Sequence, residues 1–247
     1  MSALLDIADD LARGLEPLRF AKPVAEVYNP LIYARAGYAA YCQRYGTGTK
    51  EAVLVGMNPG PFGMAQTGVP FGHVELVRDW LGIDVSIDKP AREHPSRPVQ
   101  GFACTRAEVS GARLWGWARS RFGLPQRFFE RFFVLNYCPL LFVEDTGRNR
   151  TPDKLTQREK AQVFPRCDRA LAAALRVLRP RFVIGIGRFA ALRIEAMRSL
   201  PGSCDIGTLV VGSIPHPSPA NPASNRDWAG NAERALESLG VTLGVRQ

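Results

Sequence analysis

Three apolar runs in this 247-residue chain each end in a polar side chain with a proline within three residues. Ala52-Val53-Leu54-Val55 leads to Asn58-Pro59, Arg131 to Leu135 leads to Asn136 ahead of Pro139, and Thr208 to Ile214 leads to Pro215-His216-Pro217. Two carboxamides and an imidazole can both donate and accept hydrogen bonds without a fixed charge at neutral pH. Such a set suits a small, flat, polar molecule and the stabilisation of charge that develops on it. No Ser-His-Asp order, no pair of carboxylates at strand ends and no metal-ligand spacing accompanies them. The chemistry must therefore rest on binding and electrostatics.

The first of these ends is the richest. Residues 56 to 72 read Gly-Met-Asn-Pro-Gly-Pro-Phe-Gly-Met-Ala-Gln-Thr-Gly-Val-Pro-Phe-Gly. Proline fixes φ and donates no N–H, glycine lets backbone approach a ligand closely, and Asn58 is the side chain left facing whatever binds. Neither a strand nor a helix can run through Asn58-Pro59-Gly60-Pro61.

These loops need elements to carry them. Leu4, Leu5, Ala8, Leu11 and Leu15 recur at helical spacing, and a Pro-rich, aromatic connector runs from there to Arg44. A strand is expected at 52–56, a short helix from Val74 to Leu81 ended by Gly82, and a polar surface excursion over 84–105. Ser110 to Phe122 reads as a helix with Ser110 as its N-cap. A strand at 131–135 is followed by a long helix at 157–178, interrupted or restarted near Pro165. A strand at 181–186, a helix at 188–199, a strand at 208–214 and a helix at 227–239 complete the pattern. Strands alternating with helices imply right-handed crossovers and an α/β fold with a mostly parallel sheet covered on both faces. Ligands of such sheets bind beyond the carboxyl ends of the strands, where Asn58, Asn136 and His216 all fall. No internal repeat or boundary divides the chain, so residues 1–247 are expected to form a single domain with the N-terminal helix, about 3–16, packed on it.

Two competing signals are set aside. Ile184-Gly185-Ile186-Gly187-Arg188-Phe189-Ala190 matches a dinucleotide fingerprint, but the next strand ends without the acidic residue that would hold a ribose; Asp205 precedes that strand. Close helix–strand packing explains these glycines without a cofactor. His-Pro-Ser occurs twice, and only the copy at His216 follows a strand, so His94 is read as a surface or packing residue. His73 is read as solvent-exposed, with a place beside the Phe71 loop as the alternative.

The formal charge is +9 with a pI near 9.7, and the 32 basic residues are mostly arginine, which points to a polyanion. Five cysteines, Cys42, Cys104, Cys138, Cys167 and Cys204, form no Cys-x-x-Cys pair, which argues against a disulfide framework, a zinc site or an iron–sulfur cluster. No metal or cofactor is expected. No run approaches a membrane span and the N-terminal region lacks a signal-like pattern, so the expectation is a soluble, intracellular protein; it is taken to be a monomer. The compartment would be the cytoplasm or nucleoid if bacterial and the nucleus if eukaryotic.

At the motifs the chain resembles a known family. The 56–72 stretch, Val77-Arg78-Asp79-Trp80-Leu81-Gly82-Ile83, Glu108-Val109-Ser110-Gly111-Ala112-Arg113, Asn136-Tyr137-Cys138-Pro139-Leu140-Leu141-Phe142 and His216-Pro217-Ser218-Pro219 resemble the single-strand-selective monofunctional uracil-DNA glycosylases. Val27-Tyr28-Asn29-Pro30-Leu31 fits as well, and the likeness spans roughly residues 25–240. The resemblance implies a three-layer sandwich around a four-stranded parallel sheet and removal of uracil from single- and double-stranded DNA. It implies Asn58 and His216 as catalytic residues and Met57, Gly60, Phe71 and Asn136 as the base pocket, with Gly60 leaving room at C5 for 5-substituted uracils such as 5-hydroxymethyluracil. Pro217, Ser218, Pro219, Ala220 and Asn221 would enter DNA at the flipped site, and Ala220 stands where the resemblance implies an arginine in many relatives. A non-catalytic binder of damaged DNA, and a glycosylase acting mainly on xanthine or hypoxanthine, are the alternatives.

Overall fold

In the computed structural model, which describes residues 2–199, 209–220 and 222–244, the apolar runs become strands, those at 52–56, 132–136 and 182–186 covered on both faces and the edge strand 210–214 only in part. All five residues of β2 (Ala52–Gly56) are buried, as are four of the five in β3 (Phe132–Asn136). With β6 (Phe182–Ile186) and β7 (Val210–Ile214) they form a four-stranded sheet of order β3-β2-β6-β7, parallel throughout. Gly56 lies level with Asn136, and Ile186 level with Ile214. The sheet's carboxyl ends thus form one edge, as parallel pairing with crossover helices requires.

Helices cover the two faces. α1 (Ala3–Leu15) buries Leu4, Leu5, Ala8, Ala12 and Leu15 and packs on α7 (Gln157–Leu178). α8 (Arg188–Arg198) follows β6, and α9 (Pro222–Ser238) packs on β7. α5 (Val109–Phe122) and α6 (Pro125–Phe129) lead into β3. A core of aromatic rings, including Trp115, Trp117, Phe128, Phe132 and Phe133, lies between α5, α6 and the sheet.

The structure departs from expectation in several places. The connector to Arg44 contains β1 (Val24–Tyr28), α2 (Pro30–Tyr33) and α3 (Arg35–Tyr45). β1 pairs antiparallel with β4 (Leu141–Glu144), which also pairs with β5 (Asn149–Arg150), giving a second sheet of order β1-β4-β5. The helix after β2 is a short α4 (Met64–Thr67), and the helical stretch near 74–81 is mainly a π-turn at Leu76–Trp80, with Gly82 at φ +64° beyond it. α5 starts at Val109 with Glu108, not Ser110, at the cap position. α7 is continuous through Pro165. A reciprocal Thr156–Glu159 capping box fixes its start, and its buried stripe from Val163 to Leu178 outweighs the one hydrogen bond that proline removes. α9 begins at Pro222 and bends at Asp227, where φ is −156° and ψ 77°. Asp205, Cys204 and Asn221 lie outside the described residues.

Candidate active site

Asn58 lies two residues beyond β2, half-buried, and its orientation is set by carbonyls. Its Nδ2 donates to Leu140 O at 3.2 Å and to Pro59 O at 3.4 Å. With the amino group so engaged, Oδ1 is the acceptor left for a ligand or water. Leu140 owes its place to the second sheet, since Leu141 next to it pairs with Tyr28. The antiparallel sheet therefore helps to aim Asn58.

Asn136 closes β3 on the neighbouring strand. Its Nδ2 lies 3.2 Å from Met64 Sδ, a weak acceptor, and its Oδ1 is buried with no hydrogen-bond partner. A buried orphan acceptor costs about 1–3 kcal/mol, which a ligand N–H placed there would recover. Met64 also favours one orientation of this amide: sulfur accepts from N–H, whereas it could offer Oδ1 nothing comparable.

Gly56 explains why the two loops meet. A Cβ there would collide with the Phe71 ring and with Asn136 Oδ1. Phe71 itself has φ +55°, in the left-handed region that bulky residues avoid. Holding it there costs about 1–3 kcal/mol, and such strain persists where the surroundings impose it. Its ring is half-buried and stands 6.2 Å from that of His216, tilted by 43°.

His216 lies two residues beyond β7, with β6 between its strand and that of Asn58. It crosses over the end of β6 at Gly187, where a Cβ would come within 3.0 Å of the His216 Cβ. Gly187 is at φ +87° and caps α8, while a Cβ on Gly185 would strike the backbone of Ala191. The glycines of the dinucleotide-like fingerprint thus serve packing and access to the site. The amide of Ser218 donates to His216 Nδ1 at 3.1 Å, so in the neutral ring Nε2 carries the proton. Burial pushes the imidazole below its usual value near 6.5, which keeps it neutral at physiological pH. A cleft of about 700 Å³ bordered by Gly187, Arg188, Ser213 and His216 opens beside it.

The first turns of α5 touch the loop after β2 and the chain after β7, a role the sequence pattern did not reveal. Arg113 Nη1 donates to Pro217 O at 2.9 Å and Nη2 to Asn225 Oδ1 at 2.9 Å. Trp115 Nε1 donates to Pro70 O at 3.2 Å, and Gly111 is bare because a Cβ would overlap Phe71 O. The Glu108 carboxylate fills the place that a Cβ on Gly60 would take, so Gly60 is constrained from within the protein as well as by any ligand. Burial pushes the Glu108 carboxyl above the usual carboxylate range, and the amides of Phe62 and Ser110 pull it back in part. Met57 takes part through its backbone, its carbonyl accepting from Cys138 N at 2.9 Å.

A polar network behind Asn136 anchors β3. Arg193 Nη2 reaches both oxygens of Asp168 at 2.8 and 2.6 Å, and Tyr137 OH donates to Asp168 Oδ1 at 2.7 Å. The chain after His216 is held by its own backbone: Trp228 Nε1 donates to Pro215 O at 2.7 Å and Ser224 Oγ to His216 O at 2.7 Å. Pro217 is buried, Ser218 half-buried, and Pro219 and Ala220 exposed. His94 holds a loop, with Nε2 3.1 Å from Asp145 O. His73 is only half-buried as a residue, yet its Nδ1 is buried and unpartnered, so it is less open to solvent than expected. Among the described residues the cysteines are free and buried, and no group of three or more His, Cys, Asp or Glu is arranged to hold a metal. No helix among them is long and apolar enough to cross a membrane.

Residues 43–237 match the model of the uracil DNA glycosylase superfamily. The chain belongs to that superfamily. It is 48% identical over 227 residues to the single-strand selective monofunctional uracil-DNA glycosylase of Rattus norvegicus, covering 92% of this chain and 80% of that protein. The proteins of the same name from Mus musculus and Bos taurus are 46% and 45% identical, again over 92% of this chain. Among solved structures, wild-type SMUG2 of Pedobacter heparinus superposes with a TM-score of 0.63 over 96% of this chain and 99% of that one, at 16% identity. That last likeness carries the fold: the glycosylase-type four-stranded parallel sheet between helices.

Proposed function

We propose that this protein is a monofunctional uracil-DNA glycosylase of base excision repair, a monomer in which the whole chain serves as one catalytic domain. It hydrolyses the N-glycosidic bond of uracil in single- and double-stranded DNA and leaves an abasic site. The observation that carries this reading is the convergence of Asn58, Asn136, His216 and Phe71 at one edge of the sheet, in a chain of this superfamily.

A base within a duplex is out of reach, so the nucleotide must swing into the pocket or be met in a single strand, and stacking on Phe71 offsets part of the unpairing. Asn136 reads the base. Its orphan Oδ1 accepts from N3–H of uracil, and Nδ2, released from the Met64 sulfur, donates to O4. Cytosine presents the opposite pattern at both positions and leaves donor facing donor.

As the glycosidic bond breaks, the sugar becomes positive and the departing base negative. A neutral His216 whose Nε2 carries the proton donates to O2 as that charge builds. Asn58 holds the attacking water through Oδ1; an amide takes up no proton at neutral pH, so bond breaking runs ahead of water capture. No lysine stands in these motifs to form a Schiff base, which fits hydrolysis without strand cleavage. 5-Substituted uracils such as 5-hydroxymethyluracil enter the same pocket, but the space a side chain on Gly60 would take is filled by Glu108, so the room at C5 is not that space. The loop from Pro217 through Ala220 to Asn221 meets the DNA at the flipped site.

The test is incubation of the protein with an oligonucleotide containing one uracil, followed by alkali. Strand breaks with the wild type, absent in Asn58→Ala and His216→Ala, are expected. Intact strands with retained binding would mean a binder without catalysis.

A further inference from the structure

Glu108 stands outside the mechanism above, yet it lies against its most important loop. The site's strand-end side chains, Asn58, Asn136 and His216, carry no carboxylate; Glu108 brings one from the start of α5. Its Oε2 occupies the place of a Cβ on Gly60, and its Cγ would stand 2.9 Å from a Cβ on Gly63. The whole side chain is therefore laid along the backbone of residues 60–63, immediately after Asn58 and Pro59. That fit requires glycine at both positions. The carboxylate faces the amides of Phe62 and Ser110 and so ties the loop to the first turn of the helix. The charged side chains nearby are Arg97 and Arg106, both over the Phe62 ring at 5.3 and 3.9 Å, and Arg113, which is engaged with Pro217 and Asn225.

Burying a carboxyl with no ion-pair partner among the described residues is unfavourable, and here burial raises its pKa. A side chain kept at such a cost calls for a task that a neutral filler would not perform. We propose that Glu108 is a positioning residue for the reaction: by accepting backbone N–H groups through the gap left by Gly60 and Gly63, it fixes the loop that aims Asn58 at the attacking water. This rests on the proposed uracil-excising function.

The test is a double-mutant cycle on the full-length protein with a single-stranded uracil oligonucleotide, reading the single-turnover rate, KM and Tm. Gly60→Ala forces the carboxylate off the loop and is expected to lower the single-turnover rate by about 100-fold, the scale set by an ångström of misplacement. Glu108→Ala is expected to lower that rate about tenfold with little change in KM, since the base pocket is untouched. The double variant Gly60→Ala/Glu108→Ala should be no slower than Glu108→Ala alone, with Tm recovering in parallel, because the added methyl then enters vacated space. Glu108→Gln, which retains one accepting oxygen, should recover part of the rate lost in Glu108→Ala.

Multiplicative effects of the two substitutions, or Glu108→Ala at the wild-type rate, would overturn the proposal. So would Glu108→Gln as slow as Glu108→Ala. A wild-type protein that leaves uracil in place would instead defeat the proposed function, and the Tm cycle would then decide the Glu108–Gly60 contact alone.

Discussion

The same tripeptide, His-Pro-Ser, occurs at 94–96 and at 216–218, and the two copies fold alike. In each, the serine amide donates to the histidine Nδ1, at 3.2 Å in the first and 3.1 Å in the second. Both rings are thereby steered to the same tautomer by three consecutive residues. What differs is where the copy is mounted. His94 sits in the irregular stretch between the π-turn and α5, and its other nitrogen meets the carbonyl of Asp145. His216 sits at the end of a central-sheet strand, crosses a bare Gly187 and faces Phe71. Local sequence sets the proton's position on the ring, and topology sets what that proton faces.

Substituting each histidine is the sharpest way to break this comparison. His216→Ala should lower the single-turnover rate of uracil release by about 100–1000-fold, the scale for losing a preorganised donor to a developing anion. His94→Ala should leave that rate within about threefold while lowering stability by about 1 kcal/mol for the lost loop bonds. Comparable rate losses in the two variants would defeat the assignment.

The bridge at Gly187 comes next. Gly187→Ala places a methyl against His216 at a positive φ, and a rate loss of about tenfold or more, with base binding less affected, is expected in the same assay. An unchanged rate would mean that His216 does not depend on this crossing.

A smaller effect concerns pH. Burial lowers the His216 pKa, so the folded protein favours the neutral ring. The stability linked to this group is present above pH 6.5, its unfolded value, and is lost as pH falls through the lowered folded value. Activity that needs the neutral donor should accordingly fall on an acid limb below pH 6.5, measurable in a pH–rate profile. Repeating the profile in Glu108→Gln removes the carboxyl nearest the Asn58 loop, whose pKa burial also shifts, from that acid limb.

The smallest expected change lies at the far end of the second tripeptide's loop. Exposed Ala220 leaves little to fill the gap in a duplex, so Ala220→Arg should raise activity on duplex DNA about threefold and leave single-strand activity alone. Equal gains on both substrates would show general charge attraction instead.

Much of the site was legible because its side chains end apolar runs, fully buried in β2 and nearly so in β3, and apolar runs are what a hydrophobic pattern reports best. Asn58, Asn136 and His216 could be placed from three apolar stretches alone. The second sheet was not, because β1 and β4 are short, lie more than a hundred residues apart and pair antiparallel without a hairpin to announce them. α3 was hidden in the same way: its buried face is built from Tyr38, Tyr41 and Tyr45 with glycine and cysteine, a stripe that reads as aromatic connector. Glu108 was visible as part of a motif, but its contact with Gly60 exists only once α5 is docked. Pro165 misled in the opposite direction, since a local breaker was overruled by tertiary packing.

The level strand ends carry one more consequence. Neighbouring strands are about 4.8 Å apart, so Asn136 and Asn58 start one spacing from each other, and the strands of Asn136 and His216 are three spacings, about 14 Å, apart. The backbone ladder thus acts as a ruler whose gradations no side-chain substitution can alter. Changes in the loops can deepen the pocket, roof it or tilt its walls, but its breadth is set by the hydrogen-bonded spacing of the sheet beneath.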